Sequence, residues 1–318
     1  MYKFPTIPFP PLRIHTSCEP AIVVGVKGEI CRMNRKTFKI IGEHQTPFPS
    51  QIVGSTICDG LFVGTWIQFE LEQARMASIN IDNEPSKGIS KSNLRKSKFD
   101  TQIDTSVAGS SWCHILDSQP LGITSNENMI CFALFKKGIY CINKDSNEIW
   151  RKEEINWVKD EMIENSQIIE SVCNGPHPNK KGESCVWVWS LGGYWAAIEW
   201  EDGTTISKGV IKTKGQVDNV ISNEKGSWLI SLADGNIVQW NMFDDSEQTI
   251  KGGPFNDALF IRESWHIAGW REDIIWNNQR VERTPRKELS QSIFNHERGL
   301  MILDNGGEWS LFGQINSS

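Results

Sequence analysis

The sequence predicts an all-β protein, and two observations support that class. Apolar or alternating runs of about 5 to 8 residues, rich in Val, Ile, Trp and Phe, recur along the chain with Gly, Asn, Asp and Pro between them. Helical periodicity is convincing only between residues 155 and 166. The 318 residues are 39% hydrophobic and 23% charged with a net charge of −6, a composition that excludes disordered, collagen-like and coiled-coil proteins.

The short strands form hairpins that repeat seven times. Each hairpin is an apolar strand, a turn that usually holds Gly or Asp, and a second apolar strand; the clearest runs from Met129 through Lys137-Gly138 to Ile142. The positions taken as equivalent in the second strands are Ile30, Phe69, Ile139, Trp195, Ile237, Ile274 and Trp309. Four of the six intervals between them are 35 to 42 residues, close to the length of a propeller blade. The intervals of 70 and 56 residues require insertions.

We therefore predict one domain over 1–318, a seven-bladed β-propeller of four-stranded antiparallel blades. A polar and basic insertion at 83–110 is expected between blades 2 and 3, and a short helical insertion at 155–166 between blades 3 and 4. The chain ends soon after Phe312, which leaves the last blade without an outer strand. An unpaired edge aggregates, so we expect residues 2–7 to cross back and close that blade. The prolines there are acceptable because edge strands tolerate Pro.

Two units carry a resemblance to known repeats. The run from Lys137-Gly138 to Ile149-Trp150 resembles the pyrroloquinoline-quinone-type propeller repeat, and Asp234 to Asn241 resembles the end of a Trp-Asp (WD) repeat. Both repeats belong to the β-propeller superfamily, and the likeness covers roughly residues 12–314. It implies the architecture without a subfamily: Asn241 stands where a WD repeat has Asp, and the adjacent cysteines of one quinone-enzyme branch are missing.

The sequence offers no linear motif for catalysis, cofactor or metal. Gly-x-Ser-x-Gly, Gly-x-Gly-x-x-Gly and His-Glu-x-x-His are missing, and Gly175 to Gly182 has two prolines where a phosphate loop needs free N–H groups. The six histidines are scattered and no Cys-x-x-Cys occurs, so no metal site is predicted. We predict no catalytic residue and no cofactor.

The compartment is predicted from targeting signals and cysteines. No apolar run reaches the roughly 18 residues that a membrane helix needs, and prolines interrupt residues 1–11 before a signal-peptide core can form. The eight cysteines lie mostly in apolar strands, as free thiols do. We expect a cytoplasmic protein without membrane contact.

Candidate partner-binding residues come from a basic segment. Residues 87–98 hold five cations and no acid, and its members Lys91, Arg95, Lys96 and Lys98 could contact an acidic protein surface or phosphate groups. The alternative is a solvated insertion, since the chain is acidic and Phe99 is the only nearby aromatic. Nucleic acid is a possible partner only through this segment.

Tryptophan provides the other candidates. Fourteen Trp exceed what one core requires. Trp187 and Trp189 share a strand face and are expected to pack between blades. Trp195 and Trp270 are candidates for anchors on an exposed rim, where Trp contributes strongly to protein contacts or stacks on sugar rings. The alternative is that they too pack in the core.

The sequence is compatible with two functions. The leading hypothesis is a non-enzymatic intracellular protein-interaction scaffold or adaptor. The alternative is a propeller enzyme or small-ligand binder with a site at the central channel. Convergent acids, His or Arg at the channel mouth would favour the alternative, and an exposed Trp rim beside a bare channel would favour the scaffold.

Overall fold

The chain forms a ring of seven antiparallel sheets. The computed structural model describes residues 4–158, 166–277 and 279–314. Sheets follow one another in chain order, and neighbours in sequence are neighbours in each sheet. The structure confirms the predicted seven-bladed β-propeller. Six of the seven predicted hairpins are the second and third strands of their blades, and in blade 2 only the first strand of the predicted hairpin is correct.

The strands have the following bounds. Blades 1 and 2 hold β1 Pro11–His15, β2 Ala21–Gly25, β3 Ile30–Met33, β4 Ile40–Gln45, β5 Gln51–Cys58, β6 Leu61–Gln68, β7 Gln73–Asn80 and β8 Ser110–Leu116. Blades 3 and 4 hold β9 Pro120–Ser125, β10 Met129–Leu134, β11 Gly138–Asn143, β12 Glu148–Lys152, β13 Ile169–Pro176, β14 Ser184–Ser190, β15 Tyr194–Ile198 and β16 Thr205–Val210. Blades 5 to 7 hold β17 Val217–Ser222, β18 Ser227–Leu232, β19 Asn236–Asn241, β20 Ser246–Lys251, β21 Phe255–Ile261, β22 Ser264–Gly269, β23 Glu272–Trp276, β24 Val281–Pro285, β25 Ser290–His296, β26 Gly299–Asp304 and β27 Trp309–Leu311.

The first strand of each blade is the inner one, because it contacts the first strand of the next blade around the ring, and β25 contacts β1 to close it. We call the face on which the inner strands begin the top face. The turns between second and third strands also lie there. The bottom face carries the turns between first and second strands and between third and fourth strands.

The core is divided among the blade interfaces. The described residues form seven apolar clusters, and each lies between two consecutive blades, including blades 7 and 1. Trp187 and Trp189 of blade 4 pack as predicted against Trp228 and Trp240 of blade 5. The smallest cluster lies between blades 6 and 7 and has three buried members, Ala268, Ile293 and Ile302.

The N-terminal segment packs against the last blade, but its described residues do not form the predicted closing strand. The seventh sheet contains β25, β26 and β27, and Ile7 beside it is buried and donates its N–H to the carbonyl oxygen of Gly307 at 2.9 Å. Thr6 adds a side-chain hydrogen bond to Glu308 at 2.7 Å. In the described residues 4–10 this contact is not a ladder of backbone bonds, and residues 1–3 of the predicted strand lie outside the described part of the chain.

Two sequence-based assignments in blade 2 were wrong. Phe69 does not lie in the third strand but in a 3-10 turn, Phe69–Leu71, and the third strand is β7. The insertion 83–110 does not separate blades 2 and 3, because it connects β7 to β8, the third and fourth strands of blade 2. The reason is that the hydrophobic pattern does not reveal that strands about 30 residues apart are partners.

The helix predicted for 155–166 falls mainly on residues 159–165, outside the described residues. The segment itself connects β12 to β13, the last strand of blade 3 and the first of blade 4. Among the described residues, no helix is long and apolar enough to cross a membrane.

Candidate functional site

The basic insertion is folded against the propeller. Residues Lys91–Lys96 form a short helix, α1, whose N-cap Ser90 accepts a hydrogen bond from the Asn93 N–H at 3.2 Å. Leu94 on this helix is fully buried in the cluster between blades 1 and 2. The four predicted contact residues, Lys91, Arg95, Lys96 and Lys98, are all exposed. Burial of Leu94 therefore fixes the helix while its cations face solvent.

The exposed cations of this segment differ in their contacts. Arg95 donates two hydrogen bonds to the carboxylate of Glu70, at 3.0 and 2.8 Å, and these bonds lower the pKa of Glu70. Glu70 lies in the top-face turn of blade 2, so α1 lies beside that face. Lys91, Lys96 and Lys98 form no ion pair with any residue that the structure describes. These three ammonium groups, together with the exposed Lys87, are available to an acidic partner.

The two predicted Trp anchors occupy different environments. Trp195, at the start of β15, is half-buried and packs against Trp187 and Trp240, with ring centroids 5.1 and 5.3 Å apart. Trp270 is 55% exposed and lies in the top-face turn of blade 6. All 14 Trp lie in described residues, and Trp270 alone among them is exposed. The two residues stand on blades 4 and 6 and are not brought together.

Trp270 lines an open pocket on the top face. Lys251, Gly252 and Gly253 at the end of blade 5 form one wall, and Glu272 and Arg283 of blade 6 form the other. Its volume is about 520 Å³. Arg283 is bound to Glu272 at 2.6 Å, so the pocket combines an indole, an ion pair and the ammonium of Lys251. Trp and Arg in such settings are frequent at the centres of protein interfaces.

The top-face turns follow a rule with two exceptions. Five of the seven contain Gly with a positive φ: Gly28, Gly138, Gly193, Gly235 and Gly307, at +80 to +90°. Blades 2 and 6 place Glu72 and Arg271 in this conformation instead, at φ 52 and 55°. Lys136 of blade 3 also has a positive φ, at 54°, beside Gly138, but its turn exposes no aromatic residue. A side chain there costs roughly 1–2 kcal/mol. These two turns are also the ones with an exposed aromatic residue, Phe69 at 60% and Trp270 at 55%.

The channel mouth has a ring of equivalent residues. Every inner strand has a register irregularity near its start, where one residue has no partner on the second strand. Such bulges often redirect a side chain beside a functional site. We call the seven unpaired residues the channel ring: Leu12, Val53, Leu121, Glu170, Asp218, Asn256 and Gln291. None of them is buried.

The channel ring has two halves. Blades 1 to 3 contribute Leu12, Val53 and Leu121, and blades 4 to 7 contribute only polar or acidic side chains. In the acidic part, burial and the negative charge of Asp218 raise the pKa of Glu170 to about 7. The ring therefore carries an acid with a raised pKa in its polar half, whereas in its apolar half Leu121 also packs against the core between blades 3 and 4.

Charged residues continue along the inner strands. Burial lowers the pKa of Arg13, while Asp257 opposes this by electrostatic attraction. Burial raises the pKa of Asp257 to about 6 although its carboxylate accepts the N–H groups of Ala258 and Ile293. Because Ile293 belongs to blade 7, Asp257 also links blades 6 and 7. The channel is thus not bare.

One Ser–His contact in the inner strands resembles a nucleophile paired with a general base. The ring Nε2 of His15 and the Oγ of Ser55 are 2.8 Å apart, within hydrogen-bonding distance. Ser55 is only 6% exposed, and no described carboxylate hydrogen-bonds the His15 ring. Burial, and secondarily Arg13, lowers the pKa of His15 to about 3, far below the range useful to a general base near pH 7. The pair links blade 1 to blade 2 instead.

Metal ligation and thiol chemistry have no geometric support in the described residues. No group of three His, Cys, Asp or Glu side chains there could hold a metal ion. All eight cysteines are unpaired, and five are fully buried. Burial raises the pKa of Cys31, Cys173 and Cys185 to about 12, which keeps them as unreactive thiols.

Sequence reasoning did not find the channel ring. The sequence did contain a signal for this ring. Glu170 and Asp218 are acids at the starts of strands in which other side chains are directed toward the core. The pattern alone could not show that they share a rim, because this depends on the bulge and on ring closure.

Comparisons with known proteins agree with the fold. No family model and no curated protein matches the chain. Similar solved structures include the WD40 β-propeller domain of Doa1, at 10% identity and a TM-score of 0.62, covering 99% of this chain and 96% of that one. The β-propeller domain of Cps50 (Swd1) from Myceliophteria thermophila has 10% identity and a TM-score of 0.64, with 99% of each chain covered. BamB from Moraxella catarrhalis has 10% identity and a TM-score of 0.57, covering 97% of this chain and 98% of that one.

Proposed function

We propose that this protein is a non-enzymatic intracellular scaffold or adaptor that binds a protein partner through its top face. The observation that carries the proposal is the pairing of strain with exposure in two turns. Glu72 and Arg271 adopt a conformation that Gly occupies in the other five blades, and the same turns expose Phe69 and Trp270. Residues in this conformation cluster at functional sites, and exposed apolar side chains mark surfaces for protein contact.

The proposed contact surface spans four consecutive blades. Exposed apolar side chains on the top face are Phe69 on blade 2, Leu12 and Val26 on blade 1, and Trp270 on blade 6, on either side of blade 7. Lys91, Lys96 and Lys98 flank this surface beside blade 2. A partner with an apolar segment and nearby acidic residues fits this arrangement. The eight free thiols support a reducing, cytoplasmic setting.

The test is affinity purification of the tagged full chain from its own cytosol at moderate salt. We expect a stoichiometric protein partner with wild type and its loss with the double variant Phe69→Ala, Trp270→Ala. Phe243→Ala is the matched control, because Phe243 is 63% exposed on the bottom face. A monomer without partner, or a partner kept by the double variant, contradicts the proposal.

A small-ligand site at the channel mouth is the second candidate. The specific observation in its favour is the acidic half of the channel ring, where Glu170 and Asp218 interact and the pKa of Glu170 is about 7. This candidate predicts that Glu170→Gln with Asp218→Asn abolishes a ligand-induced rise in melting temperature in a metabolite screen. The same double variant leaves capture of a top-face protein partner through Phe69 and Trp270 intact.

A further inference from the structure

A second, smaller pocket lies on the bottom face between blades 5 and 6. It has a volume of about 230 Å³, smaller than most sites for drug-sized ligands. Its walls include Asn223 and Lys225 between β17 and β18, Asn241 at the end of β19, Glu263 between β21 and β22, and Asn277 after β23. It belongs to neither the proposed partner surface nor the channel ring.

Three side-chain amides line this pocket with the same orientation. The Oδ1 of Asn223 accepts the N–H groups of Lys225 and Ser227, at 2.9 and 3.0 Å. In the same way, Asn241 Oδ1 accepts from Phe243 at 3.0 Å and Asn277 Oδ1 accepts from Arg280 at 2.8 Å. Because each oxygen is bound to its own turn, the NH2 group is the part that remains for a ligand.

One of these amides leaves a hydrogen bond unmade inside the protein. The Nδ2 of Asn223 is buried and has no acceptor among the described residues. A buried donor without an acceptor is unfavourable, and a ligand oxygen in the pocket would relieve it.

The rim of the pocket carries an ion pair between Lys225 and Glu263. Their side chains are 64% and 73% exposed, so water screens the pair and it contributes little to stability. Among the residues that the structure describes, Glu263 is the only acid that lines the pocket. Its carboxylate binds Lys225 as the carboxylate of a ligand would, and it can be displaced at small cost.

We propose that this pocket binds a small oxyanion, a carboxylate or a phosphate group, on the NH2 groups of Asn223, Asn241 and Asn277 and the ammonium of Lys225. The ligand replaces Glu263 on Lys225. The ammonium of Lys225 favours an anionic ligand, because charge-assisted hydrogen bonds are stronger than neutral ones. A neutral polyol would leave the ion pair in place and gain only neutral hydrogen bonds.

The test is titration of the full-length protein, labelled with ¹⁵N, with sodium phosphate and separately with sodium acetate, at constant ionic strength in chloride. The side-chain NH2 resonances of the three asparagines are the readout. We expect saturable shifts confined to them and to Lys225 and Glu263. The difference between the phosphate and acetate curves shows which oxyanion is preferred, and titration with glucose tests the neutral ligand.

Two variants make the test specific. Lys225→Met is expected to weaken oxyanion binding at least tenfold, and Glu263→Gln is expected to strengthen it several-fold because the competing carboxylate is removed. Lys214→Met, at an exposed lysine on the top face, should leave binding unchanged. Four results would each overturn the proposal. They are shifts that do not saturate, oxyanion binding by Lys225→Met equal to that of wild type, saturable binding of glucose, and weaker oxyanion binding by Glu263→Gln. None of these outcomes depends on the top-face partner.

Discussion

Phe38 of blade 1 stacks on Trp309 of blade 7, with ring centroids 4.3 Å apart and ring planes 25° from parallel. Phe38 is fully buried and also contacts Phe4 and Phe294, so it joins the N-terminal segment and the first and last blades. Its backbone has φ 57°, a conformation that Phe rarely adopts. Phe38 is thus a central part of the packing that joins the first and last blades.

Phe38→Ala should therefore destabilise the whole ring. Removal of a buried Phe usually costs about 3–5 kcal/mol in the free energy of unfolding. Urea denaturation followed by Trp fluorescence measures this loss. Phe243→Ala, at an exposed position, should change it by less than about 0.5 kcal/mol. An equal effect of the two substitutions would show that the Phe38 stack does not close the ring.

Arg286 and Asp273 form a buried ion pair where the apolar core is smallest. Their side chains are 5% and 1% exposed, and Arg286 also binds Ser310 and Leu311 of blade 7. Because a lone buried charge is unfavourable, Arg286→Met should lower the free energy of unfolding by about 3–5 kcal/mol. The double variant Arg286→Met, Asp273→Leu should be milder, since no charge is left unpaired. Chemical denaturation of both variants distinguishes the cost of an unpaired charge from a simple loss of packing. A simple loss of packing predicts that the double variant is less stable than Arg286→Met.

The raised pKa of Glu170 predicts a pH dependence of stability. The carboxyl has a pKa of about 7 in the folded protein and an ordinary pKa of about 4.3 in the unfolded chain. The unfolded chain loses this proton first, so the contribution to stability falls as pH rises from about 4 through 7.

Glu170→Gln removes that contribution. Its melting temperature should be close to that of wild type at pH 4 and exceed it increasingly up to pH 8, measured by scanning calorimetry. Glu224→Gln, at an exposed residue, serves as control. Parallel curves for Glu170→Gln and wild type across this range are inconsistent with the raised pKa.

The basic insertion can be tested without deletion of residues 83–110, which would remove buried Leu94 and Val107 from the core. Leu94→Ala should lower the free energy of unfolding by about 2–5 kcal/mol. The triple variant Lys91→Glu, Lys96→Glu, Lys98→Glu should keep the stability of wild type and lose an acidic partner. Unfolding curves and pull-down with the partner identified for wild type measure the two effects. A triple variant that is folded and still binds the partner excludes these lysines from the contact.

The hairpins could be predicted because the residues that specify them lie close together in the sequence. Lys137-Gly138 and Asp234-Gly235 stand between apolar runs, and both glycines have the positive φ that such turns require. The packing of Trp187 on Trp189 followed from their separation by two residues on one strand. By contrast, β7 and β8 are separated by α1 and its flanking loops, so their pairing left no local signal.

The candidate sites divide in the same way. Exposure of Lys91 and Lys98 could be expected from charge, whereas the bond of Arg95 to Glu70 depends on how the insertion folds back onto the top face. Trp195 and Trp270 were both candidates for the exposed rim, yet Trp195 packs in a Trp cluster and Trp270 faces solvent. Their difference arises from neighbouring blades, which no single repeat encodes.

By itself the sequence determined the class, the number of blades and the local turns, because strand periodicity and turn chemistry act over a few residues. Only the tertiary structure decided which residues share the channel ring, the top face and the pocket between blades 5 and 6. Those sites combine side chains from different blades, and their positions are set by closure of the ring and by one bulge in each inner strand. A linear pattern carries no information about either.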